Sequence, residues 1–360
     1  MPDGVTAPGM QRLLMTTDAV GGVWRYAVDL ASGLADRGIE TVLAVMGPPA
    51  DAAQRKEAEA VRSLRLVQTG LPLDWTADDP AALAHASAKL AALAALTGVS
   101  SAHLQAPALV GGQPWSVPVV AVAHSCVGTW WRAVRGGEMP EDFRWRTEAA
   151  ASGLRGAAAV IASTAAHAAL LQEVYGPVPV QVVHNGRDPA ALPSGPRSRA
   201  VVTAGRLWDE GKGVTRLDRA AAGLGAPVRA AGPVQGPNGG AANFANLDLL
   251  GTLDPAGMAS AYAGATVFAS MARYEPFGLA VLEAAQAGMA LVLSDLPSFR
   301  ELWDGAALFV GEGDDLPAVL RRALDDPTPL AAAARQRGMR YTADAMTHAT
   351  LAVHRAVALA

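Results

Sequence analysis

The feature that most constrains this chain is a repeated alternation between short apolar runs and longer segments able to form helices. The runs at 12–17, 40–46 and 117–123 are predominantly apolar, without a polar residue at every second position. Strands of this kind are buried on both faces, which is typical of a parallel sheet covered by helices. The alternation therefore predicts an α/β fold built from doubly wound parallel sheets.

The alternation is interrupted once, which predicts two domains. Residues 188–199 include Pro-Ala-Ala-Leu-Pro-Ser-Gly-Pro and predict a linker, after which the pattern starts again. A length of 360 residues also favours two domains. We predict an N-terminal domain over 1–188 and a C-terminal domain over 189–342, with their strand C-termini facing a central cleft. A last helix is predicted at about 343–360.

Composition excludes several classes of protein. A 51% apolar content supports two cores, and 17% charged residues with a net charge of −4 give no sign of disorder or nucleic-acid binding. The single cysteine, Cys126, excludes an internal disulfide and fits a reducing compartment. Residues 1–9 lack the apolar core of a signal peptide, and no apolar run reaches the roughly 18 residues of a membrane span. We therefore expect a cytoplasmic protein.

Two carboxylates lie eight positions apart in the segment 273–288. An apolar run precedes the segment, and Pro276 suits the first turn of a helix. Glu275 is then predicted at a strand-to-helix turn and Glu283 within the helix, about 12 Å away along its axis. Three backbone N–H groups are predicted at the helix N-terminus, where anions are favoured: those of Phe277, Gly278 and Leu279. On these residues alone, a helix cap and a solvated helix charge remain equally good interpretations.

The sequence Glu-Pro-Phe-Gly-Leu, with a second Glu eight residues after the first, resembles the signature of the retaining glycosyltransferases of family four, also called group 1. That family has the GT-B fold, in which two Rossmann-like domains face a central cleft. The resemblance implies that Glu275 contacts the donor sugar, that Glu283 holds the ribose hydroxyls, and that the turn amides face the sugar and phosphates. It also implies that the C-terminal domain binds the donor and the N-terminal domain, joined by the last helix, binds the acceptor.

A second motif lies at 202–213, where Arg206 and Lys212 follow a predicted strand. It is no P-loop, because five residues separate Gly205 from Gly211 and Gly213 stands where Ser or Thr should follow Lys. It resembles the family's Gly-Arg-Leu…Glu-Lys-Gly segment, which implies that Arg206 and Lys212 bind the donor diphosphate. Fixed cations of this kind stabilise a departing diphosphate. The alternative, a surface charge, is less favoured for Lys212 because the chain has only three lysines.

Three shorter motifs belong to the first half of the chain. Gly21 and Gly22 follow the first strand without a G-x-G-x-x-G pattern, which counts against a nicotinamide or flavin site. The resemblance implies that their amides approach the diphosphate, and that His124, after the most apolar strand, is an active-site residue near the sugar. Asn185 begins a segment that matches the family's Asn-Gly-x-Asp, except that x is usually aliphatic and here is Arg187. The resemblance places Asn185 near the donor. The alternatives are a structural histidine and a plain Asn-Gly turn.

The acceptor is less well indicated. Trp24 beside the glycine pair contacts donor or acceptor in one interpretation and packs in the core in the other. Trp130 and Trp131 follow His124 among arginines, and such residues suit an acceptor pocket because sugar and aromatic rings stack. A membrane-surface role is at most peripheral, since nearby acidic residues nearly cancel the charge. Glu301 matches a glutamate of the family and is predicted to support the donor loop or to form a surface salt bridge.

These motifs predict a metal-independent, retaining transfer of a sugar from a nucleoside-diphosphate-sugar to a hydroxyl group, by front-face attack. A UDP-sugar is the default donor and no cofactor is expected; no Asp-x-Asp motif predicts a metal. The acceptor is a sugar, a lipid or a small molecule. Two alternatives stay open: another GT-B enzyme, such as a sugar-nucleotide epimerase or a phosphorylase, and a nucleotide-sugar-binding protein without activity.

Overall fold

The computed structural model describes residues 10–236 and 239–359, so the prediction about residues 1–9 lies outside the described residues. In this part of the chain the first sheet has seven strands, all parallel, in the order β3-β2-β1-β4-β5-β6-β7. They are β1 (Arg12–Asp18), β2 (Glu40–Met46), β3 (Leu64–Gln68), β4 (Ser101–Leu104), β5 (Val119–Ala123), β6 (Ala159–Ala162) and β7 (Val180–Val182). The helices between them are α1 (Gly22–Ala35), α2 (Ala52–Glu59), α3 (Pro80–Thr97), α4 (Val127–Val134), α5 (Glu141–Gly156) and α6 (Ala165–Tyr175).

The second sheet has six parallel strands within the described residues, in the order β10-β9-β8-β11-β12-β13. They are β8 (Ser198–Ala204), β9 (Val228–Ala231), β10 (Asp248–Gly251), β11 (Ala265–Ser270), β12 (Ala290–Ser294) and β13 (Leu308–Val310). The helices are α7 (Val214–Ala221), α8 (Pro255–Ala263), α9 (Leu279–Gln286), α10 (Pro297–Trp303), α11 (Leu316–Asp325), α12 (Thr328–Gly338) and α13 (Ala343–Ala358). The predicted pair of doubly wound α/β domains is confirmed.

The apolar runs form the strands because burial on both faces removes their side chains from water. In β5 every residue is buried, and β12 is buried along its whole length. Two helices were not predicted, α2 and α4. Only Ala58 is buried in α2, so its sequence carries no apolar periodicity, and α4 is too short and too rich in Trp to separate from the adjoining loop.

The last helix, α13, packs against α1 of the first domain. Met346 and Leu351 of α13 lie in one cluster with Leu13, Leu30 and other residues of β1 and α1. Both β1 and α13 therefore belong to the first domain, and the second domain is an insertion between β7 and α13.

The two domains also contact each other along the cleft. The hydroxyl groups of Thr129 and Tyr274 lie 2.8 Å apart across it, and the Pro276 carbonyl accepts hydrogen bonds from the hydroxyls of Ser163 and Thr164 at 3.2 and 2.9 Å. These bonds place the turn before α9 against the start of α6. The carboxyl ends of both sheets consequently face each other, as is usual for ligand sites in open α/β sheets.

Candidate active site

The turn between β11 and α9 differs from the prediction in one respect. The helix begins at Leu279, so the prediction that Pro276 lies in its first turn is wrong. Gly278 precedes the helix with φ of 91°, a left-handed conformation, and a Cβ there would lie 3.2 Å from the Phe299 ring. Phe277 is buried in the core of the second domain. Of the three predicted N–H groups, only that of Leu279 therefore belongs to the first helical turn.

Lys212 and Glu275 form an ion pair at the opening of the second domain. Lys212 Nζ lies 2.6 Å from Glu275 Oε2, and both side chains are largely buried, at 21% and 17% exposed. Gly213 has φ of 61°, and a Cβ there would lie 1.9 Å from the carbonyl oxygen of Met271. This close approach of two backbones, which only glycine permits, holds the turn after β8 against the end of β11. The predicted phosphate-binding lysine, Lys212, is thus in direct contact with the predicted sugar-binding carboxylate, Glu275.

Arg206 is positioned by Asp209, which the sequence did not single out. Arg206 Nη2 donates to Asp209 Oδ2 at 2.9 Å, while Asp209 Oδ1 accepts from the Gly211 amide at 2.9 Å. Trp130 Nε1 of the first domain donates to the same oxygen at 3.1 Å. Burial by itself would raise the pKa of Asp209, but Arg206, Lys212 and the Gly211 amide lower it overall. Arg206 Nε is buried without a hydrogen-bond partner.

The glycine pair faces these groups from the first domain. A Cβ on Gly21 would lie 3.7 Å from Arg206 Nη1, and one on Gly22 would lie 3.5 Å from Leu279 Cδ1. The Gly21 amide donates to Asp18 Oδ1 at 3.1 Å, so it is already engaged and does not point freely at the cleft as predicted. Burial raises the pKa of Asp18. A Cβ at either glycine would thus make only ordinary van der Waals contact with the second domain, and longer side chains would extend towards Arg206 and Leu279.

His124 follows β5, at the carboxyl edge of the first sheet. Its Nε2 contacts the side-chain oxygen of Gln105, and its ring meets Tyr26 edge-on at a centroid distance of 4.5 Å. Burial lowers the pKa of His124 to about 3, so the ring is neutral at physiological pH. Neighbouring Cys126 packs in the core, and burial raises its pKa to about 12, which leaves no thiolate nucleophile.

Glu283 lies within α9 and is held by two groups. Arg187 donates to its Oε1, and the Tyr262 hydroxyl donates to its Oε2 at 3.1 Å. Arg187 Nε also lies 3.0 Å from Asp29 Oδ2 on α1. Arg187, which stands where the family usually has an aliphatic residue, therefore contacts Glu283, the carboxylate that the resemblance implies binds the ribose.

Asn185 is buried at 7% exposed, in an irregular segment after β7. The following glycine, Gly186, approaches the backbone of Thr342 so closely that a Cβ would lie 2.0 Å from its carbonyl oxygen. The segment forms no turn, so the Asn-Gly turn alternative is wrong, and the glycine is explained by backbone packing at the domain junction.

The three tryptophans considered for the acceptor differ in position. Trp24 is 2% exposed, packs with Val28 and Val45, and donates to Glu57 at 2.8 Å, so it is a core residue and not a cleft residue. Trp130 lines a cavity beside His124, whereas Trp131 packs against Phe143 outside that cavity. Only Trp130 thus faces the candidate site.

Two cavities of about 250 Å³ each flank the glycine pair. One is lined by His124, Asp18, Arg206 and Trp130, and the other by Gly21, Gly22, Arg187, Tyr262 and Glu283. A smaller cavity is lined by Lys212, Glu275 and Gly278. The cavities are lined by predicted residues from both halves of the chain, among them Gly21, Gly22, His124, Arg206, Lys212, Glu275 and Glu283, whereas Trp24, Trp131 and Phe277 pack elsewhere.

Sequence reasoning missed four contributors to this cleft: Asp18, Gln105, Asp209 and Tyr262. Asp18 ends the first strand and Asp209 lies three residues after Arg206, so both carboxylates lie at turns that the sequence indicates. Gln105 and Tyr262 carry no local signal. Glu301 was predicted to support the donor loop or to form a surface salt bridge. In the structure its carboxylate accepts hydrogen bonds from the amides of Ala165 and Ala166 at 2.9 and 2.8 Å, so it caps the N-terminus of α6 from the other domain.

Solved structures with the same two-domain arrangement are glycosyltransferases. Sucrose-phosphate synthase from Thermosynechococcus elongatus is 19% identical over 96% of this chain and 98% of its own, with a TM-score of 0.76. HepE from Anabaena, in complex with UDP-glucose, is 18% identical over 95% and 98%, with a TM-score of 0.72. WaaG, a glycosyltransferase involved in lipopolysaccharide biosynthesis, is 16% identical over 94% and 98%, with a TM-score of 0.71. At these identities the likeness establishes the fold, which is GT-B.

The family follows from the sequence. The family model described as Glycosyltransferase Family 4 matches residues 20–191, and the model described as Glycosyl transferases group 1 matches residues 198–326. The chain belongs to these group 1, family 4 glycosyltransferases, as the motifs predicted. No curated protein sequence matches it.

No helix within 10–236 and 239–359 is long and apolar enough to cross a membrane. The same residues contain no group of three or more His, Cys, Asp or Glu side chains placed to hold a metal ion.

Proposed function

We propose that this glycosyltransferase moves a sugar from a nucleoside-diphosphate-sugar to a hydroxyl acceptor, with retention of anomeric configuration and without a metal ion. The observation that carries the proposal is the position of Arg206, which faces Gly21, and of the Lys212–Glu275 ion pair on the segments that follow β8 and β11, at the carboxyl edge of the second sheet. Two cations at this edge suit the two phosphates of the donor, and the carboxylate beside Lys212 suits hydroxyl groups of its sugar.

In this proposal the donor lies between the cavity lined by His124 and Arg206 and the cavity lined by Arg187 and Glu283. Glu283 accepts hydrogen bonds from the ribose hydroxyls, because each carboxylate oxygen can accept a second bond beside that from Arg187 or Tyr262. Asn185 supports the donor from the domain junction. UDP is the favoured nucleotide, since HepE was solved with UDP-glucose. A cytoplasmic site of action, consistent with the unpaired Cys126, is part of the same proposal.

The chemical step uses charge stabilisation rather than an enzymic nucleophile. Arg206 and Lys212 stabilise the negative charge that develops on the departing diphosphate. The acceptor hydroxyl attacks the anomeric carbon on the face that the diphosphate leaves, and a phosphate oxygen takes the proton of that hydroxyl. Neutral His124 is suited to hydrogen bonding with the sugar, because a ring with a pKa of about 3 carries no charge that would oppose a cationic transition state. The acceptor enters from the N-terminal domain.

The test is release of nucleoside diphosphate from a panel of UDP-, GDP- and ADP-sugars, with and without hydroxyl acceptors. Lys212→Ala and Glu275→Gln should each lower kcat by about 10²–10³-fold while the proteins stay folded. Lys89→Ala, on the exposed side of α3, is the matched control and should retain full turnover. Normal turnover in either site variant would remove that residue from the mechanism.

Product analysis separates the alternatives. Retention appears as an unchanged anomeric configuration in the NMR spectrum of the product. An epimerase would convert the sugar nucleotide without releasing diphosphate, and a phosphorylase would need inorganic phosphate. A binding protein would hold the donor without turnover.

A further inference from the structure

The cavity beside His124 has mostly apolar and aromatic walls. Its residues include Leu73, Trp75, Leu109, Trp130, Phe143 and Trp208. It also reaches Arg206, so under the proposed function its occupant lies next to the donor. A volume of about 250 Å³ is enough for a ring-sized molecule rather than a polymer. This is the acceptor position.

The charges in this cavity do not balance. Four carboxylates line it, those of Asp18, Asp74, Asp142 and Asp209, against two guanidinium groups. Arg146 pairs with Asp142, and Arg206 pairs with Asp209 at 2.9 Å. Within 10–236 and 239–359, neither Asp18 nor Asp74 forms an ion pair of its own. The charges of Arg206 and Arg146 lower the pKa of Asp18 and Asp74, but the same two guanidinium groups pair with Asp209 and Asp142, so the lining carries more carboxylates than guanidinium groups.

The two unpaired carboxylates share a poorly hydrated environment. Burial, together with the nearby charge of Asp18, raises the pKa of Asp74 to about 6. Burial likewise raises the pKa of Asp18. Above pH 7 Asp74 is ionised, and its carboxylate would be stabilised by a cation in the cavity. Indole rings at Trp75, Trp130 and Trp208 favour a cation for a separate reason, the negative potential at their faces.

A buried amide adds an independent sign of a ligand. Gln105 is 9% exposed, its oxygen contacts His124, and its Nε2 has no hydrogen-bond partner. A buried donor without a partner is costly, and Gln105 lines this cavity. An oxygen atom of an acceptor would satisfy it. The cavity therefore combines negative charge, aromatic walls and one free donor.

We propose that the acceptor is a hydroxylated ring compound that carries a protonated amine, bound with its ammonium group at Asp74 and Asp18. This inference rests on the proposed function. A neutral sugar would leave both carboxylates uncompensated, and an anionic acceptor such as a sugar phosphate would be repelled by them.

The test compares ring compounds that differ in charge: glucosamine, N-acetylglucosamine, glucose and glucose 6-phosphate. Binding to the whole protein is measured by tryptophan fluorescence or calorimetry at pH 7.5, in the presence of UDP. Glucosamine should bind about tenfold more tightly than glucose or N-acetylglucosamine, and glucose 6-phosphate should bind most weakly. No preference for the amine, or a preference for the phosphate, overturns the proposal.

Two variants locate the effect. Asp74→Asn should reduce the amine preference to within about twofold while UDP binding is unchanged. Asp78→Asn, an exposed aspartate four positions further along the same loop, should keep it. An unchanged preference in Asp74→Asn also overturns the proposal. Because the readout is binding, an enzyme that prefers the amine but never releases diphosphate would refute the proposed function and not this inference.

Discussion

Arg187 is the residue at which this chain departs most clearly from the pattern of its family. It lies between Glu283 of the second domain and Asp29 of the first. Burial alone would lower the pKa of Arg187, but Glu283 and Asp29 raise it overall. Burial raises the pKa of Asp29 to about 6, despite the nearby guanidinium. One side chain thus joins the domains and orients the carboxylate proposed to bind ribose.

Replacing Arg187 with the aliphatic residue usual in the family should therefore weaken both stability and donor binding. Arg187→Leu leaves two largely buried carboxylates without their cation, which we expect to cost about 2–3 kcal/mol of unfolding free energy after allowance for solvent screening. KM for the donor should rise several-fold with little change in kcat, because the lost contact positions the ribose and not the phosphates. Denaturant unfolding and steady-state kinetics measure the two effects.

The control for this substitution is Arg340→Leu, at an exposed position, which should change stability by less than about 0.5 kcal/mol. If Arg187→Leu unfolds at the same denaturant concentration as the wild type, the charge triad does not stabilise the domain junction.

At the scale of elements, α13 contacts β4 and α1 through a buried chain of polar groups. Ser101 Oγ lies 2.7 Å from His354 Nδ1, His354 Nε2 lies 3.0 Å from His103 Nδ1, and His103 Nε2 lies 3.2 Å from the Tyr26 hydroxyl. Tyr26 in turn packs against His124. The last helix of the chain therefore supports the wall behind the candidate active-site histidine.

This arrangement predicts a loss of stability in acid. Burial lowers the pKa of His354 to about 4, whereas an unfolded histidine has a pKa of about 6.5. The unfolded chain binds more protons below pH 6.5, so the stability that neutral His354 contributes is present above that pH and is lost as pH falls towards 4. His354→Gln should reduce the loss of unfolding free energy between pH 7 and pH 5 by about 2 kcal/mol.

His348→Gln, an exposed histidine on the same helix, should leave the pH dependence unchanged. Asp29 and Asp74, whose pKa values burial raises to about 6, act in the opposite direction, but they do so equally in all three proteins. Equal slopes for His354→Gln and the wild type would mean that His354 is not held neutral by burial.

At the scale of the whole molecule, α13 follows the second domain in sequence but packs on the first domain. Met346, Leu351 and Val353 are each at most 3% exposed, and they pack on the first domain. Burial of apolar side chains of this size stabilises by about 1.5–3 kcal/mol each, so the helix contributes a substantial part of the folding free energy.

Leu351→Ala should accordingly destabilise the protein by about 2–5 kcal/mol, because it leaves a cavity between α13 and the first sheet. Leu359, just after the same helix, is 81% exposed, and Leu359→Ala should change stability by less than about 0.5 kcal/mol. Thermal and denaturant unfolding of the two variants provide the comparison. Similar midpoints for both would show that α13 is not part of the cooperative unit.

Much of the fold was predictable because its signals are local. Continuous apolar runs marked β5 and β12, and Gly38 and Gly288, both in left-handed conformations, marked the ends of helices. The helix α9 begins three residues later than predicted because Pro276 suits a first turn by local criteria, whereas in the structure Pro276 precedes the helix and its carbonyl accepts hydrogen bonds from Ser163 and Thr164 of the first domain.

The sequence by itself determined the two parallel α/β domains, the family, and the cleft edge that carries Arg206, Lys212 and Glu275, since these depend on short-range periodicity and on motifs. Only the tertiary structure decided that Arg187 meets Glu283, and that Trp24 is buried while Trp130 faces a cavity. The physical reason is that these outcomes depend on packing and on electrostatic interactions between residues far apart in the chain, and a local sequence pattern carries no information about such contacts.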